Sequence, residues 1–260
     1  MNRERARPSA PRGLGGDQVE GRQAVRELLL GNRRRVRDIW LADDLDDAPI
    51  IGDIVDLATE QRVSVKRVSR TQLEHAARSE SPQGVLAHAA PLPEAELDTL
   101  CRRGRDGRAP FLLALDGVTD PHNVGALLRT AECAGVSGVL LPRHRAAHVT
   151  PTVAKAAAGA VEHLDIALVS GLPAALARAK ELGVWVVGLD AAGDSSLFDL
   201  TVATEPVVLV LGAEGSGLGR LTRQRCDVVA GIPLLGALDS LNVSAAGALA
   251  CFEVARRRLG

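Results

Sequence analysis

Three short segments in the second half of the chain contain the residue types best suited to chemistry: residues 123–129, 211–217 and 232–244. Each places small or polar residues where a strand is predicted to end or a helix to begin, and free backbone N–H and C=O groups there can bind a ligand. Together the segments offer a guanidinium (Arg129), a carboxylate (Glu214), two asparagine amides and two serine hydroxyls beside glycine-lined backbone. This combination indicates a site that holds a nucleotide-like molecule and acts on a phosphorylated polymer.

Simpler roles are open to several of these side chains. Asn123 is a good N-cap for the helix that follows it, and Arg129 could form a surface ion pair with Glu132 one turn later. Ser240 or Asn242 could cap the last helix of the chain. No single one of these residues therefore identifies the site.

The glycine-rich turn over residues 212–217 differs from the common nucleotide-binding motifs. No Lys-Ser/Thr pair follows it, so it is not a Walker A loop, and a Gly-x-Gly fragment this late in the chain is weak evidence for a dinucleotide site. His122 and the pair His144/His148 have no third ligand at a suitable spacing, so we predict no metal site. The four widely spread cysteines are predicted to be buried or idle thiols in a reducing compartment.

Composition limits the partners. A chain of 260 residues with 46% apolar residues can form one large domain or two modest ones. Tyr is absent, which argues against single-strand binding by rows of stacked aromatics. The net charge of −1 excludes a globally basic nucleic-acid binder, but residues 1–37 hold ten arginines against four acids. This local excess predicts phosphate contacts, and the first candidates are Arg22, Arg33, Arg34 and Arg35.

The sequence also predicts where the protein works. It has no apolar run of 18 residues that could span a membrane, and its Arg- and Pro-rich start lacks the apolar region of a secretory signal. We therefore expect a cytoplasmic protein with no membrane partner.

Changes in composition divide the chain into four parts: a disordered basic arm (1–17), a small α/β unit (18–90), a linker (91–108) and a larger wound α/β domain (109–260). In the small unit, the patterns predict helices over 20–30, 49–61 and 71–78 and strands over 36–42, 63–68 and 84–88. In the larger domain they predict strands over 111–116, 138–142, 164–169, 184–190, 207–212 and 228–233. The predicted helices of that domain are 123–134, 151–158, 173–182 and 244–259. Ligands of such a parallel sheet bind outside the carboxyl ends of its strands.

In this order and spacing, the three segments closely resemble the signature motifs of the SpoU (TrmH-type) RNA 2′-O-ribose methyltransferases of the SPOUT superfamily. The likeness covers about residues 110–260. Residues 19–89 resemble the substrate-binding domain of the rRNA guanosine-2′-O-methyltransferase branch, which looks like a ribosomal RNA-binding protein. The resemblance implies a wound parallel sheet with a deep trefoil knot near the C-terminus, where S-adenosylmethionine binds in a bent form. It also implies a homodimer with the active site at the subunit interface.

The resemblance carries residue roles over to this chain as well. The catalytic positions of the family match Asn123, Arg129, Glu214, Ser240 and Asn242, and an RNA-facing position matches Ser244. The expected cofactor pocket is lined by Gly188, Leu211, Gly212, Gly217, Ile232, Leu241 and Asn242. Two departures are mild: Leu234 and Leu238 stand where Met and Val are usual, and Pro82-Gln83-Gly84 replaces a commoner His-Gln-Gly.

The implied reaction is an in-line methyl transfer from a sulfonium to a ribose 2′-hydroxyl, without a metal ion. Because a guanidinium is a poor base at its normal pKa, we expect Arg129 to hold the adjacent phosphate and leave the proton acceptor open. The predicted substrate is a guanosine in large-subunit rRNA. The alternatives are a tRNA, an rRNA site that confers antibiotic resistance, a non-catalytic RNA-binding role and, more distantly, an NAD-type dehydrogenase.

Overall fold

The computed structural model describes residues 13–104, 107–144 and 148–260. Its N-terminal unit is a four-stranded sheet in the order β1-β4-β2-β3, in which β4 is antiparallel to both neighbours and β2 is parallel to β3. The elements in chain order are β1 (Gln18–Glu20), α1 (Arg22–Gly31), β2 (Val36–Ala42), α2 (Pro49–Glu60), β3 (Ser64–Val68), α3 (Arg70–Ala76) and β4 (Val85–Ala89).

Apolar spacing explains how this unit holds together. Helix α1 buries Val25, Leu28 and Leu29, which lie on one face because residues three and four apart share a side of a helix. Strand β2 points Ile39 and Leu41 into the same hydrophobic cluster, as alternation along a strand requires. The sequence prediction of a small α/β unit in this region is confirmed.

The C-terminal unit is a seven-stranded sheet in the order β7-β6-β5-β10-β8-β11-β9, and all its described pairings are parallel. The strands are β5 (Phe111–Asp116), β6 (Gly138–Pro142), β7 (Ile166–Val169), β8 (Trp185–Leu189), β9 (Ser195–Ser196), β10 (Val207–Gly212) and β11 (Val228–Gly231). The helices are α4 (Leu97–Leu100), α5 (Pro121–Cys133), α6 (Pro151–Ala156), α7 (Leu172–Glu181), α8 (Arg220–Arg223) and α9 (Val243–Leu259), with 3₁₀ turns at Ala160–Glu162, Leu197–Asp199 and Thr201–Thr204.

The two central strands divide the hydrophobic core into two layers. On β5, Leu113 belongs to one cluster and Leu112 to the other; on β10, Leu209 and Val208 divide in the same way. Both faces of the sheet are therefore covered, which is why these strands read as continuous apolar runs. The strand predictions over 36–42, 111–116, 138–142 and 207–212 are confirmed to the residue.

The predicted arm and linker are wrong in part. Residues 1–12 of the arm lie outside the described residues, but Leu14 is 1% exposed in the core of the larger domain and Gly15 forms a β-bridge with Val149. In the predicted linker, α4 buries Leu100, and Glu94 forms a bridge with Ile166 at the edge strand β7. In both segments the described part contains apolar residues that are buried against the larger domain, so that part does not behave as a solvated connection.

The two units meet in an interface that we call the domain seam, formed by Arg33 and Arg34 on one side and residues 162–165 on the other. Arg34 Nη2 lies 2.6 Å from Glu162 Oε1 and Arg34 Nε lies 3.0 Å from Oε2, a two-pronged ion pair. The two side chains are 3% and 1% exposed. Arg34 also donates to the carbonyl oxygens of Gly16 and Ala90, so the whole guanidinium is bonded.

No helix in the described part of the chain combines the length and the hydropathy that crossing a membrane would require.

Candidate active site

The three sequence segments meet at the carboxyl edge of the larger sheet. Segment 123–129 lies in α5, which follows β5; segment 211–217 follows β10; and segment 232–244 connects β11 to α9. Because parallel strands end at the same edge, segments that are far apart in sequence become neighbours there. The geometry at this edge depends on how the two helices begin.

Helix α5 begins at Pro121, two residues before Asn123. Its N-cap is Asp120, whose side chain accepts hydrogen bonds from the backbone N–H groups of His122 (3.2 Å) and Asn123 (3.3 Å). Asn123 is therefore not a cap, and its side chain is available for other contacts. Asp120 followed by Pro121 is itself a strong start signal, since proline suits the first helical position.

At α9, the cap is Asn242 rather than Ser240. Asn242 Oδ1 accepts from the backbone N–H groups of Ser244 (2.9 Å) and Ala245 (3.4 Å), and from the Ser244 hydroxyl. Ser240 is exposed and makes no hydrogen bond within the described residues. Capping fixes the orientation of the Asn242 side chain at the mouth of the helix.

The same asparagine joins all three segments. Asn242 Nδ2 donates to Glu214 Oε1 at 2.6 Å and to Asn123 Oδ1 at 3.1 Å. We call Asn123, Glu214, Asn242 and Ser244 the asparagine hub. Every donor and acceptor of the Asn242 amide is used within the hub, whereas Asn123 Nδ2 and Glu214 Oε2 have no partner among the described residues. The hub therefore presents one free amide NH₂ group, with two N–H donors, and one free carboxylate oxygen to a ligand.

Arg129 does not join the hub. Six residues separate it from Asn123, which is about 9 Å along the helix and about 120° around it. Its side chain is exposed and makes no ion pair or hydrogen bond with the described residues, so the ion pair with Glu132 is not formed. An unpaired guanidinium on the exposed face of α5 is free to bind a phosphate or a second subunit.

The predicted cofactor residues differ in burial. Gly188 and Gly212 are glycines because protein packs against them: a Cβ would lie 2.7 Å from Cys226 Sγ at position 188 and 2.2 Å from the Gly217 backbone at position 212. Leu211 is 1% exposed, so this residue can offer a ligand only its backbone. Ile232 packs partly against the core, and Leu241 remains 42% exposed.

Two strand-end carboxylates that the sequence reasoning missed hold the loops of the site in place. Asp116, at the end of β5, accepts a hydrogen bond from the backbone N–H of Gly219 at 2.8 Å. Asp190, after β8, accepts from Ala192 N at 2.9 Å and forms an ion pair of 2.9 Å with Arg223. They lie at the carboxyl ends of β5 and β8, the two parallel strands that flank β10, and that position is the signal that could have found them.

The four arginines predicted to bind RNA have different environments. Arg34 is buried in the domain seam, so its assignment to RNA is wrong: a side chain 3% exposed and fully bonded cannot reach a phosphate. Arg33 bonds to Leu164 O and Asp165 in the same seam, at 31% exposure. Arg35 is exposed, and Arg22 lines a cleft in the N-terminal unit.

Three of the four cysteines, Cys101, Cys226 and Cys251, are shielded from solvent to different degrees, whereas Cys133 is exposed. Burial raises the pKa of Cys101 and of Cys226 to about 11, and that of Cys251 to about 12. These thiols stay protonated at neutral pH and are poor nucleophiles. Among the described residues there is also no group of three or more side chains that could hold a metal ion.

Comparison with known proteins identifies the class. The sequence model of the SpoU rRNA Methylase family matches residues 110–252, and the model of RNA 2′-O ribose methyltransferase substrate binding matches residues 18–95. The 23S rRNA (guanosine-2′-O-)-methyltransferase RlmB of Pseudomonas aeruginosa is 41% identical over 245 residues, 93% of this chain and 97% of that protein. A Bacillus subtilis protein of the TrmH family of tRNA/rRNA methyltransferases, YacO, is 37% identical over 93% of this chain and 96% of its own length.

Solved structures share the fold. The SpoU methyltransferase AviRb from Streptomyces viridochromogenes, in complex with AdoMet, superposes with a TM-score of 0.78 at 24% identity over 93% of this chain and 90% of that chain. An AdoMet-bound rRNA methyltransferase from Sinorhizobium meliloti gives 0.75 at 24% identity, over 94% and 88% of the two chains.

Fold, hub and sequence matches thus define an S-adenosylmethionine-dependent RNA 2′-O-ribose methyltransferase. The chain belongs to the SpoU rRNA methylase family, as its three segments predict.

Proposed function

We propose that this enzyme methylates the ribose 2′-hydroxyl of a guanosine in 23S rRNA. The observation that carries the proposal is the asparagine hub, in which Asn242 joins the three family segments through bonds of 2.6 Å to Glu214 and 3.1 Å to Asn123. The choice of rRNA and guanosine rests on the Pseudomonas aeruginosa relative, which carries that name and matches nearly the whole chain. Because the substrate is ribosomal RNA, the same proposal places the enzyme in the cytoplasm.

The residues present fit the cofactor. The turn after β10 has positive-φ glycines at Gly215 and Gly217, where backbone can approach a ligand closely, and the loop after β11 exposes the apolar side chains of Leu238 (80%) and Leu241 (42%). The exposed leucines suit the adenine ring, and the strand-end backbone suits its polar edge. When bound there, S-adenosylmethionine supplies an electrophilic methyl group on its sulfonium.

We assign the remaining work to the side chains of this chain. Asn123 Nδ2 and Glu214 Oε2, the free atoms of the hub, orient the ribose, and the carboxylate oxygen can accept a hydrogen bond from the 2′-hydroxyl. Asn242 acts as a positioning residue, because all of its amide atoms are bonded within the protein. Arg129 holds the phosphate next to the target ribose, as a guanidinium does well through two parallel hydrogen bonds.

We further propose that the active form is a homodimer in which Arg129 of one subunit completes the hub of the other. Two observations support this arrangement: Arg129 bonds neither to its own hub nor to any other described residue, and the exposed face of α9 carries Leu249 (45%) and Phe252 (50%). Exposed apolar side chains three residues apart on a helix form a stripe that a partner can cover.

Subunit complementation tests the dimer. The impaired Arg129→Ala and Asn242→Asp proteins are unfolded, refolded together and assayed for methyl transfer above the residual activity of each variant alone. If each site uses both subunits, half of the dimers are mixed and each has one intact site, so about a quarter of wild-type activity returns. No recovery, or a monomer in analytical ultracentrifugation, would overturn the shared site.

The predicted trefoil knot and the domain limits at residues 18–90 and 109–260 remain part of the proposal. The connection after β8 passes tightly across β11, since a Cβ at Gly193 would lie 2.6 Å from Ala230 C and Gly231 N. A close backbone crossing of this kind supports a knotted end to the sheet.

Mass-spectrometric mapping of 2′-O-methylated nucleosides tests the substrate. We expect cells without the gene to lose one 2′-O-methylguanosine from large-subunit rRNA and to regain it with the wild-type gene. A loss from tRNA instead would move the substrate to the alternative that the Bacillus subtilis relative suggests. Unchanged rRNA and tRNA would contradict an RNA methyltransferase acting under those growth conditions.

A further inference from the structure

A cleft of about 340 Å³ lies in the N-terminal unit, whereas the hub lies in the C-terminal unit. It is lined by Arg22, Arg70 and Gln83. Arg22 is the first residue of α1 and Arg70 the first residue of α3, while Gln83 lies in the turn before β4 and its amide oxygen accepts from Arg22 N at 3.1 Å. Three elements thus place two guanidinium groups around one opening.

Each of these arginines is held by a carboxylate from a single acidic loop, residues 43–47, whose sequence is Asp-Asp-Leu-Asp-Asp. Arg70 Nε donates to Asp44 Oδ2 at 2.7 Å, and Arg22 Nη2 lies 2.6 Å from Asp46 Oδ1. The hydrogen bonds with Arg70 and Arg22 keep the pKa of Asp44 and of Asp46 below its usual value, so both are ionised at neutral pH. The loop therefore puts negative charges where phosphates would sit.

The loop is anchored separately from its charges. Leu45 lies between the two aspartates and packs on Gly84, where an added Cβ would approach Leu45 Cδ2 to 2.6 Å. The carboxylates themselves can move away from the arginines, because the side chains of Asp44 and Asp46 are 54% and 66% exposed. Ion pairs this exposed contribute little to stability, so a stronger anion can replace the carboxylates at a small cost in free energy.

The cleft is also connected to the active site. Lys155 of α6 packs against Gly21 next to Arg22, and its ammonium donates to Ser81 O at 2.7 Å. On its other side α6 packs against α5 at Gly125, where a Cβ would lie 2.4 Å from Ala156 Cβ. Helix α5 carries Asn123 and Arg129, so only one helix separates the cleft from the helix of the hub.

We propose that Arg22 and Arg70 bind backbone phosphates of the RNA substrate, and that Asp44 and Asp46 occupy these arginines in the free protein and are displaced when RNA binds. The proposal rests on the proposed function for the identity of the ligand. An arginine binds a phosphate through two parallel hydrogen bonds and so competes well for it against an exposed carboxylate. The acidic loop would then lower the affinity for any RNA that does not fill both positions.

The experiment compares three double variants of the full-length protein with wild type. They are Asp44→Asn with Asp46→Asn, Arg22→Gln with Arg70→Gln, and a control, Arg26→Gln with Asp53→Asn, which removes another ion pair of the same unit, with N and O 3.0 Å apart, and leaves the net charge unchanged. Binding to protein-free large-subunit rRNA is measured over a series of KCl concentrations. S-adenosylmethionine affinity and circular dichroism serve as checks that each variant is folded.

We expect the two Asp→Asn changes to tighten rRNA binding by about three- to tenfold, the scale of two exposed ion pairs. The same variant should show a steeper salt dependence, because in wild type the displaced carboxylates take up cations and so offset part of the counterion release from the RNA. The two Arg→Gln changes should weaken binding and reduce the slope of log affinity against log salt by about 1.4, for two phosphates. The control should match wild type in both quantities.

Unchanged affinity in the Asp→Asn variant would overturn the displacement, and an unchanged salt slope in the Arg→Gln variant would overturn the phosphate contacts. Absence of rRNA binding by the wild-type protein would overturn the identification of RNA as the ligand of the cleft. These results can be distinguished from failure of the proposed function. If the protein binds rRNA through this cleft but methylates no RNA, the proposal for the cleft stands and the proposed reaction is wrong.

Discussion

The domain seam and the asparagine hub both join segments far apart in sequence through polar side chains, yet their exposure is opposite. In the seam, Arg34 and Glu162 are 3% and 1% exposed and bonded at every nitrogen and oxygen that the pair offers. In the hub, Asn242 is exposed, and two atoms of its partners, Asn123 Nδ2 and Glu214 Oε2, have no hydrogen bond to any residue that the structure describes.

The difference follows from what each region must do. A charge removed from water must have its partners inside the protein, because an unpaired buried ion costs several kcal/mol. A site must instead keep donors and acceptors free for its substrate, so part of its bonding capacity stays with water until the substrate arrives. Buried, saturated contacts thus fix the two units, and exposed, unsaturated ones suit the role in methyl transfer that we propose for the hub. The following changes test that division.

The largest effect is expected from breaking the buried pair. Arg34→Met leaves the Glu162 carboxylate buried without a partner and should lower the free energy of unfolding by about 3–5 kcal/mol. Chemical denaturation measures this loss. The double variant Arg34→Met/Glu162→Met removes both charges and should recover most of it. If the single variant is as stable as wild type, the seam does not hold the units together.

Arg129→Lys comes next and should affect chemistry alone. Lysine keeps the charge but loses the planar fork that holds a phosphate through two bonds, so methyl transfer should slow by about 10²–10³-fold. Single-turnover assays measure the rate, and calorimetry should find S-adenosylmethionine affinity and stability unchanged. Wild-type turnover in this variant would remove Arg129 from its assigned role.

Asn242→Asp separates the two duties of the hub residue. An aspartate still caps α9 through its carboxylate oxygen, so stability should change by less than about 0.5 kcal/mol. It cannot donate to Asn123, and it places a second carboxylate beside Glu214, so activity should fall by about 10- to 100-fold. Asn242→Ala, which also loses the cap, provides the comparison: it should lose about 1 kcal/mol of stability. Full activity in the Asp variant would mean that the hub bonds do not position the substrate.

The smallest effect is expected from the exposed member of the seam. Arg33 pairs with Asp165 at 31% and 52% exposure, and pairs of this kind contribute about 0–1 kcal/mol. Arg33→Ala should therefore lower stability by less than about 1 kcal/mol, measured beside Arg34→Met under the same conditions. A loss as large as that of Arg34→Met would show that burial is not what distinguishes the two arginines.

Sequence patterns predicted the sheet better than the ends of the helices. Strands such as Phe111–Asp116 and Val207–Gly212 are buried on both faces, and their continuous apolar runs mark both limits. Helix starts were less certain, because Asp120, Asn123, Ser240 and Asn242 are all good caps by residue type. Only the backbone path selects Asp120 and Asn242 among them.

The sequence by itself determined the family, the parallel sheet and the residue types of the active site, because motif order, apolar runs and glycine-rich turns are local properties of the chain. Tertiary structure alone decided which side chains meet. It joined Asn123, Glu214 and Asn242, left Arg129 apart, and withdrew Arg34 from the surface into an ion pair with Glu162. Partners separated by 28, 119 and 128 residues are brought together by strand order and domain packing, which no local pattern records.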